Sequence, residues 1–189
     1  MNKRRAFTAL WLPAEVSSEL EEFFDETGLR RLAPHIHWNR PHRWHITTAF
    51  FPHLEHEDQL EDRLAELGER TAPFEVRLAG AGVFGRSGFQ APVWVGVEGQ
   101  VGQLTDLALA GRRAAARAGV GHRSGKQFTP HVTVARSPDL WGLELWLDRL
   151  GRFSGTPWTV TEFLLVESFS STRDRPPRYE SLGRFPLTG

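Results

Sequence analysis

Cysteine is missing altogether from the 189 residues of this chain. Its absence excludes disulfide bonds, thiolate-bound zinc and a cysteine nucleophile, and it fits the cytoplasmic location that we expect. A surplus of either charge is missing too, because lysine plus arginine and aspartate plus glutamate number 23 each. No overall field attracts nucleic acid, so any contact with RNA must depend on a local patch.

Long hydrophobic runs are also absent. Residues 3–12 combine basic residues with an apolar stretch and superficially resemble a secretion signal. The stretch ends after about eight residues at Pro13, which is too short for a membrane span, so we predict a strand there. With 40% hydrophobic and 24% charged residues, we expect a chain that folds around its own core and has no membrane attachment.

Short strands and helices alternate along the sequence. We predict about four helices. One begins at Pro13, and the others span residues 55–70, 101–118 and 140–150. Residues 28–43 are expected to form a loop-rich connection. The predicted strands are residues 5–12, 44–51, 74–84, 93–98, 129–135, 156–169 and 179–187. Because nearly every strand is short and bounded by glycine or proline, we predict an α+β fold with antiparallel sheets, arranged as two similar lobes around a shared cleft.

One pattern, His-x-Thr-x, occurs twice in apolar, β-branched surroundings: HITT at residues 45–48 and HVTV at residues 131–134. Side chains two apart on a strand share a face, so each histidine has a threonine hydroxyl beside it. The intervening residues, Ile46, Thr48, Val132 and Val134, should face the other way and pack against helices. We therefore predict one site built from two halves, within a single bilobal domain of residues 1–189.

Two histidines with two threonines suit phosphoryl transfer. One neutral imidazole can accept a proton while a second, protonated, donates one, and an in-line displacement needs the two on opposite sides of phosphorus. Thr47 and Thr133 can hydrogen-bond the non-bridging oxygens without a metal. Alternation along the strand places Arg43 on the face of His45 as a cation for phosphate. Arg136 is a second candidate, with an ordinary surface charge as its alternative.

The motifs in this order and context resemble the two-histidine (2H) phosphoesterases, and among them the RNA 2′,3′-cyclic phosphodiesterases, also called 2′-5′ RNA ligases. The resemblance extends from RAFTALWLP at 5–13 through HITTAF at 45–50 and FTPHVTVAR at 128–136 to RYE at 178–180. It implies a fold of two pseudo-symmetric lobes, with antiparallel sheets flanked by helices and both motifs in a central cleft.

The resemblance also implies a reaction. A terminal 2′,3′-cyclic phosphate of RNA or of a nucleotide would be opened to a 2′-phosphate, with His45 as proton donor and His131 as proton acceptor. No metal or other cofactor and no obligatory protein partner would be needed, and a monomer would suffice. The same site could join ends by reversible 2′-5′ ligation. Two alternatives stay open. One is a related phosphodiesterase that acts on another cyclic phosphate or on a 2′-5′ oligonucleotide. The other is a noncatalytic nucleotide-binding or RNA-binding role, although binding alone does not require two titratable groups.

The chain departs from the family pattern directly after the first motif, where Ala49, Phe50, Phe51 and Pro52 replace a basic residue followed by Phe-Leu-Gly. Substrate contacts in this region should therefore differ. Phe50 is our candidate for stacking on a base, with Trp38 and Trp44 as further possibilities, and core packing is the competing interpretation for each.

Two other groups of residues could carry chemistry. The pairs His35-x-His37 and His53-x-x-His56 could bind a metal, but no further ligand follows at a familiar spacing, which favours surface loops. Arg123 and Lys126 could steer RNA if the loop of residues 119–127 folds over the cleft. They belong to a basic cluster, for which the competing interpretation is an ordinary solvated helix face. The cluster comprises Arg112, Arg113, Arg117, Arg123 and Lys126.

Overall fold

The computed structural model describes residues 4–32, 34, 36–85, 91–122, 127–138, 143–169 and 178–189. The helices are α1 (Ala14–Glu26), α2 (Leu29–Leu32), α3 (Glu57–Glu69), α4 (Val101–Arg117) and α5 (Leu143–Leu150), and Pro41–Arg43 form one turn of 3₁₀ helix. The strands are β1 (Arg5–Trp11), β2 (His37–Trp38), β3 (His45–Phe51), β4 (Phe74–Val83), β5 (Ala91–Gly99), β6 (His131–Ser137), β7 (Trp158–Val160), β8 (Glu162–Phe169) and β9 (Arg178–Pro186).

The strands form an antiparallel sheet in the order β7-β4-β5-β6-β3-β1-β8-β9, and the short β2 pairs with β6. The two motif strands, β3 and β6, are neighbours at the middle of this order. Each therefore begins one half of the sheet, with three further strands beyond it. This arrangement confirms the predicted α+β fold with two related halves.

Helices cover one face of the sheet and bury the apolar side of both motifs. Helix α4 packs against β3 and α3, and α5 packs against β4. Ile46, Val132 and Val134 are fully buried, as the alternation predicted. Thr48 is buried as well, and its hydroxyl donates a 2.8 Å hydrogen bond to the hydroxyl of Thr8 on β1, which satisfies a polar group inside the core.

Helix α3 packs closely against the backbone of β9, the strand at one edge of the sheet. A Cβ atom on Gly68 would lie 2.5 Å from the carbonyl oxygen of Pro186 on β9, so only glycine allows this approach. At the start of β1, Arg4 forms ion pairs with Glu57 of α3 and Glu167 of β8. The hydrogen bonds from Arg4 lower the pKa of Glu167.

Three predictions about the elements are wrong. Residues 156–169 form two strands, because the chain crosses between sheet halves at Thr161: β7 pairs with β4, whereas β8 pairs with β1 and β9. The described part of residues 28–43, predicted as a loop-rich connection, contains α2, β2 and the 3₁₀ turn. The helix predicted at residues 140–150 is present as α5 over its described part, since residues 140–142 lie outside the described residues, but α2 brings the described α-helices to five where about four were predicted. No helix in the described ranges is long and apolar enough to cross a membrane.

Candidate active site

The two motif strands meet at a single residue pair, Ile46 with Val132. Counting outward from this antiparallel pair places His45 opposite Thr133 and Thr47 opposite His131. The four side chains thus form two His/Thr pairs related by an approximate two-fold axis through the Ile46–Val132 pair. All four lie on the face away from the helices, because the intervening residues are buried.

A β-bulge at the same position in both motifs extends this symmetry. In β3 the bulge leaves Thr48 without a partner on β1, and in β6 the equivalent bulge leaves Val134 without a partner on β5. The inward and outward alternation shifts by one residue at each bulge, so that burial follows the same pattern in both strands. As a result Phe50 and Arg136, five residues after the histidines, return to the face that carries the histidines.

The motif residues line one cavity of about 250 Å³. It brings together all seven residues selected from the sequence: Arg43, His45, Thr47, Phe50, His131, Thr133 and Arg136. Four further residues complete the lining: Phe7, Asn39, Ser168 and Tyr179. A cavity of this size, with polar groups that converge from both halves of the sheet, can hold a phosphate and part of the group that carries it.

Both histidines are oriented by the same backbone interaction. The Nδ1–H of His45 donates to the carbonyl of Arg43, and the Nδ1–H of His131 donates to the carbonyl of Thr129, each over 2.7 Å. A carbonyl can only accept, so Nδ1 must carry the proton in each neutral ring. Nε2 is therefore the nitrogen of each ring that can exchange a proton with a substrate.

Aromatic rings surround His45. Its imidazole stacks on Phe7 and on Trp11, with 4.9 Å between ring centroids in each case, and Tyr179 meets it edge-on at 5.5 Å. This burial lowers the pKa of His45 to about 4, opposed by the hydrogen bond to Arg43. With this lowered pKa, His45 is neutral at pH 7 while the site is empty.

His131 has a related but more open environment. Phe84 meets its ring edge-on, with centroids 4.8 Å apart, and Trp94 lies at 6.0 Å. Burial lowers the pKa of His131 below its usual 6.5, again opposed by a backbone hydrogen bond. A neutral His131 with an unprotonated Nε2 can accept a proton directly.

The lowered pKa values of His45 and His131 lead to a prediction for anion binding. Sulfate in the cavity should favour both imidazolium forms and raise the pKa of His45 by about one unit or more, because an anion stabilises the charged ring that burial disfavours. Proton NMR titration of the imidazole signals in sodium sulfate measures this shift.

Sodium chloride at the same ionic strength is the reference for that titration, and spectra of His45→Gln and His131→Gln assign the two signals. If His45 titrates at the same pH in sulfate and chloride, no anion binds between the two histidines.

The remaining candidates lie at different points of the rim. Arg43 ends the 3₁₀ turn, and its guanidinium lies 6.0 Å from the ring centroid of Tyr179. Arg136 is an exposed residue near the end of β6, and half-buried Phe50 faces the cavity from β3. Asn39 holds the chain after β2 close to the site, since its side-chain amide donates to the carbonyl of Thr133 over 2.8 Å.

Two of the aromatic candidates belong to the core instead. Trp44 is fully buried, and Trp38 packs on Phe24 and Trp146, so neither is available to stack on a base. Core packing, the competing interpretation of both residues, is therefore correct. Both indole rings contact Phe24 of α1, and that of Trp38 also contacts Trp146 of α5.

The alternative metal site finds no support among the described residues, where no three histidine or acidic side chains are grouped to hold an ion. His35 lies outside the described residues. So do Arg123 and Lys126, the two residues predicted to steer RNA. Of the other basic residues, Arg113 and Arg117 line a shallow groove between α3 and α4, away from both histidines.

Sequence reasoning missed the aromatic surroundings of His45. Phe7 and Trp11 lie on β1, and Tyr179 lies on β9. The alternation of β1 could have indicated that Phe7 and Trp11 share a face, but only the pairing of Trp11 with His45 puts that face in the site. Tyr179 is the one tyrosine of the chain, and although RYE at 178–180 belongs to the family resemblance, no pattern in the sequence placed this ring beside His45.

A cleft with paired histidines and threonines from two related sheet halves defines the class of the two-histidine phosphoesterases. Sequence comparison agrees, because the family described as the 2′-5′ RNA ligase superfamily matches residues 12–170. The chain belongs to this superfamily. The family predicted from the doubled motif is thereby confirmed, as is the prediction of an enzyme.

Individual relatives cover nearly the whole chain. An RNA 2′,3′-cyclic phosphodiesterase of Thermus thermophilus is 32% identical, and the match covers 98% of this chain and 91% of the relative. The crystal structure of E. coli LigT in its apo form has a TM-score of 0.78 at 26% identity and full coverage of both chains. The structure of E. coli LigT complexed with 3′-AMP has a TM-score of 0.74.

Proposed function

We propose that this protein is an RNA 2′,3′-cyclic phosphodiesterase that hydrolyses a terminal 2′,3′-cyclic phosphate to a 2′-phosphate without a metal. The observation that carries the proposal is the two-fold arrangement of His45/Thr133 and His131/Thr47 around one cavity. It provides an acid and a base on two sides of a single bound group. The names of the relatives support the choice of a cyclic phosphate as substrate.

In the proposed reaction, Nε2 of His131 takes a proton from water as the water oxygen bonds to phosphorus. The bond from phosphorus to O3′ breaks on the opposite side, and His45 gives its Nε2 proton to O3′. One proton is accepted and one is donated, so the products are a 2′-phosphate and a free 3′-hydroxyl. The backbone hydrogen bonds at Nδ1 keep both rings in the required orientation.

The acid acquires its proton together with the substrate. Burial keeps His45 neutral in the empty site, and the negative charge of the bound phosphodiester favours the imidazolium. The stacked Phe7 and Trp11 exclude water around the ring, which strengthens this electrostatic coupling. Proton uptake thus accompanies binding, and the donor is charged only when there is a group to protonate.

Thr47 and Thr133 hold the two non-bridging oxygens in this proposal, one from each half of the sheet. Arg43 and Arg136, both at the rim of the cavity, supply positive charge toward the phosphate. Phe50 offers an aromatic face to the base or sugar. Since one chain provides every one of these groups, we expect the monomer to be active without a protein partner or a cofactor. We also expect the protein to act in the cytoplasm.

The decisive test is hydrolysis of adenosine 2′,3′-cyclic phosphate by the purified protein in excess EDTA. We expect full activity and adenosine 2′-phosphate as the product, because the groups that move protons and bind charge all belong to the chain. Chromatography against 2′- and 3′-phosphate standards identifies the product. Formation of the 3′-phosphate would contradict the proposal, as would activity that EDTA abolishes and Mg²⁺ or Zn²⁺ restores.

A further inference from the structure

The sheet face that carries the histidines continues past His45 into a further cavity, which we call the outer cavity. Its volume is about 330 Å³, and its walls come from β1, β8 and β9, the three strands at one end of the sheet. Tyr179 lines both the outer cavity and the two-histidine cavity. Trp11, which stacks on His45, lines the outer cavity as well. The outer cavity therefore begins one aromatic ring away from this histidine.

The walls of the outer cavity combine apolar surface with one guanidinium group. Leu164 and Val166 of β8 line it, and they belong to a small apolar cluster on the site face, separate from the main core. On β9 a bulge leaves Leu182 without a partner on β8, so Ser181 and Arg184 both face the cavity although three positions separate them. Together with the aromatic rings, these residues surround a space suited to a flat, partly apolar group that carries a polar substituent.

Arg184 is oriented by an ion pair across two strands. Its Nε donates over 3.2 Å to Glu162 on β8, and one of its terminal nitrogens donates to the other oxygen of the same carboxylate. A guanidinium has five N–H groups in a planar fork, so its opposite edge can donate to a phosphate oxygen. Aromatic surfaces stack on nucleobases of any sequence. The outer cavity therefore has the chemistry of a site for one nucleotide.

The proposed reaction indicates which nucleotide would reach this cavity. His45 protonates O3′ under the proposed function, so the ribose of the cyclic phosphate lies toward the His45 end of the two-histidine cavity. A ribose carries its base and its 5′ carbon on two different ring atoms, both away from the cyclic phosphate. When the base contacts Phe50, the 5′ carbon is left to exit along the wall that contains Tyr179, the residue shared with the outer cavity.

We infer that the outer cavity is a subsite for the nucleotide on the 5′ side of the cyclic end, and that Arg184 determines how strongly a chain is preferred over a mononucleotide. This inference rests on the proposed function. The base of the preceding nucleotide stacks against Trp11 and Tyr179, over the apolar floor of β8. Arg184 donates to the phosphate that joins the two nucleosides. No bond forms or breaks in the subsite, so it changes the use of longer substrates and leaves the chemical step as it is.

Two substrates of the same reaction give the test. The measured quantity is the ratio of kcat/KM for adenylyl-(3′→5′)-adenosine 2′,3′-cyclic phosphate to kcat/KM for adenosine 2′,3′-cyclic phosphate. Wild type should show a ratio of about ten or more, because only the dinucleotide fills the outer cavity. Arg184→Gln should lower the ratio by about fivefold through loss of the phosphate contact. Ser181→Trp should bring it to about one, because an indole at this exposed position occupies the space of the base.

Arg77→Gln and Thr159→Trp are the matched controls. Arg77 forms the same kind of cross-strand ion pair, with Glu98 of β5, and exposed Thr159 lies on β7, the opposite edge strand of the sheet. Both controls should keep the ratio within about twofold of wild type. In all four variants kcat/KM for the mononucleotide should also stay within about twofold, which shows that the fold and the chemistry are intact.

The two proposals fail in different ways. A wild-type protein that hydrolyses both substrates equally well would overturn the subsite and leave the proposed function standing. So would a ratio that Ser181→Trp leaves at the wild-type value. A wild-type protein that hydrolyses neither substrate would refute the proposed function and the subsite together.

Discussion

Replacing either motif histidine by glutamine should lower kcat/KM for a nucleoside 2′,3′-cyclic phosphate by about 10²–10⁴-fold. Glutamine fills similar space but neither accepts nor donates a proton near neutral pH. His45→Gln removes the group that neutralises O3′, and His131→Gln removes the group that activates water. Because both protons move in one displacement, the double variant should be little slower than the worse single variant.

A second substrate separates the roles of the two histidines. Bis(p-nitrophenyl) phosphate releases a phenolate that needs no protonation, so an enzyme without its acid should lose less on this substrate than on the cyclic phosphate. His45→Gln should therefore retain more activity on the aryl diester than His131→Gln does. Equal losses in the two variants on both substrates would contradict the assignment of donor and acceptor.

His53→Gln is the control for both substrates, because this histidine is exposed outside the motifs and does not line the two-histidine cavity. Circular dichroism and thermal unfolding should match wild type for His53→Gln and for each motif variant that is compared. Full activity in either motif variant would refute the mechanism.

Local patterns in the sequence were sufficient to predict which side chains share a face at the centre of the candidate site. The spacing of His45 with Thr47 and of His131 with Thr133 determined that each pair shares a strand face, and burial of Ile46 and Val132 confirms which face it is. These are consequences of strand geometry over three residues. They hold wherever the two strands lie in the sheet.

The bulges show where that reasoning ends. Strict alternation from His45 would put Ala49 on the site face and Phe50 on the opposite one, but the bulge at Thr48 reverses the two. The same reversal at Val134 brings Arg136 to the cavity. A bulge depends on how β1 and β5 pair with the motif strands, which local periodicity does not contain.

Long-range pairing also explains the missed aromatic residues and the misjudged strand. Trp11 covers His45 only because β1 lies beside β3 in this register, and Tyr179 arrives from the far end of the chain. Residues 156–169 have the composition of one strand, yet their two parts pair with opposite halves of the sheet. Composition predicts that a segment is extended and does not predict its neighbour.

The hydroxyls of Thr47 and Thr133 should matter almost as much as the imidazoles. Thr47→Val and Thr133→Val each keep the size and β-branching of the side chain but remove a donor aimed at a non-bridging oxygen. Loss of one such donor lowers kcat by about 10²–10³-fold in other preorganised sites. The two variants should be affected to a similar extent, since the approximate two-fold axis relates their positions.

Thr→Ser at the same two positions tests the role of the hydroxyl itself, because serine keeps the donor and should retain kcat within about tenfold of wild type. Thr159→Val is the matched control for the chemical change, since this exposed threonine lies on the edge strand β7. The diagnostic result is a loss in kcat that exceeds any rise in KM, because negative charge on the non-bridging oxygens is held more tightly in the transition state than in the bound substrate. A rise in KM alone would mean that the threonines only bind the substrate, and wild-type kinetics in either valine variant would remove its hydroxyl from the mechanism.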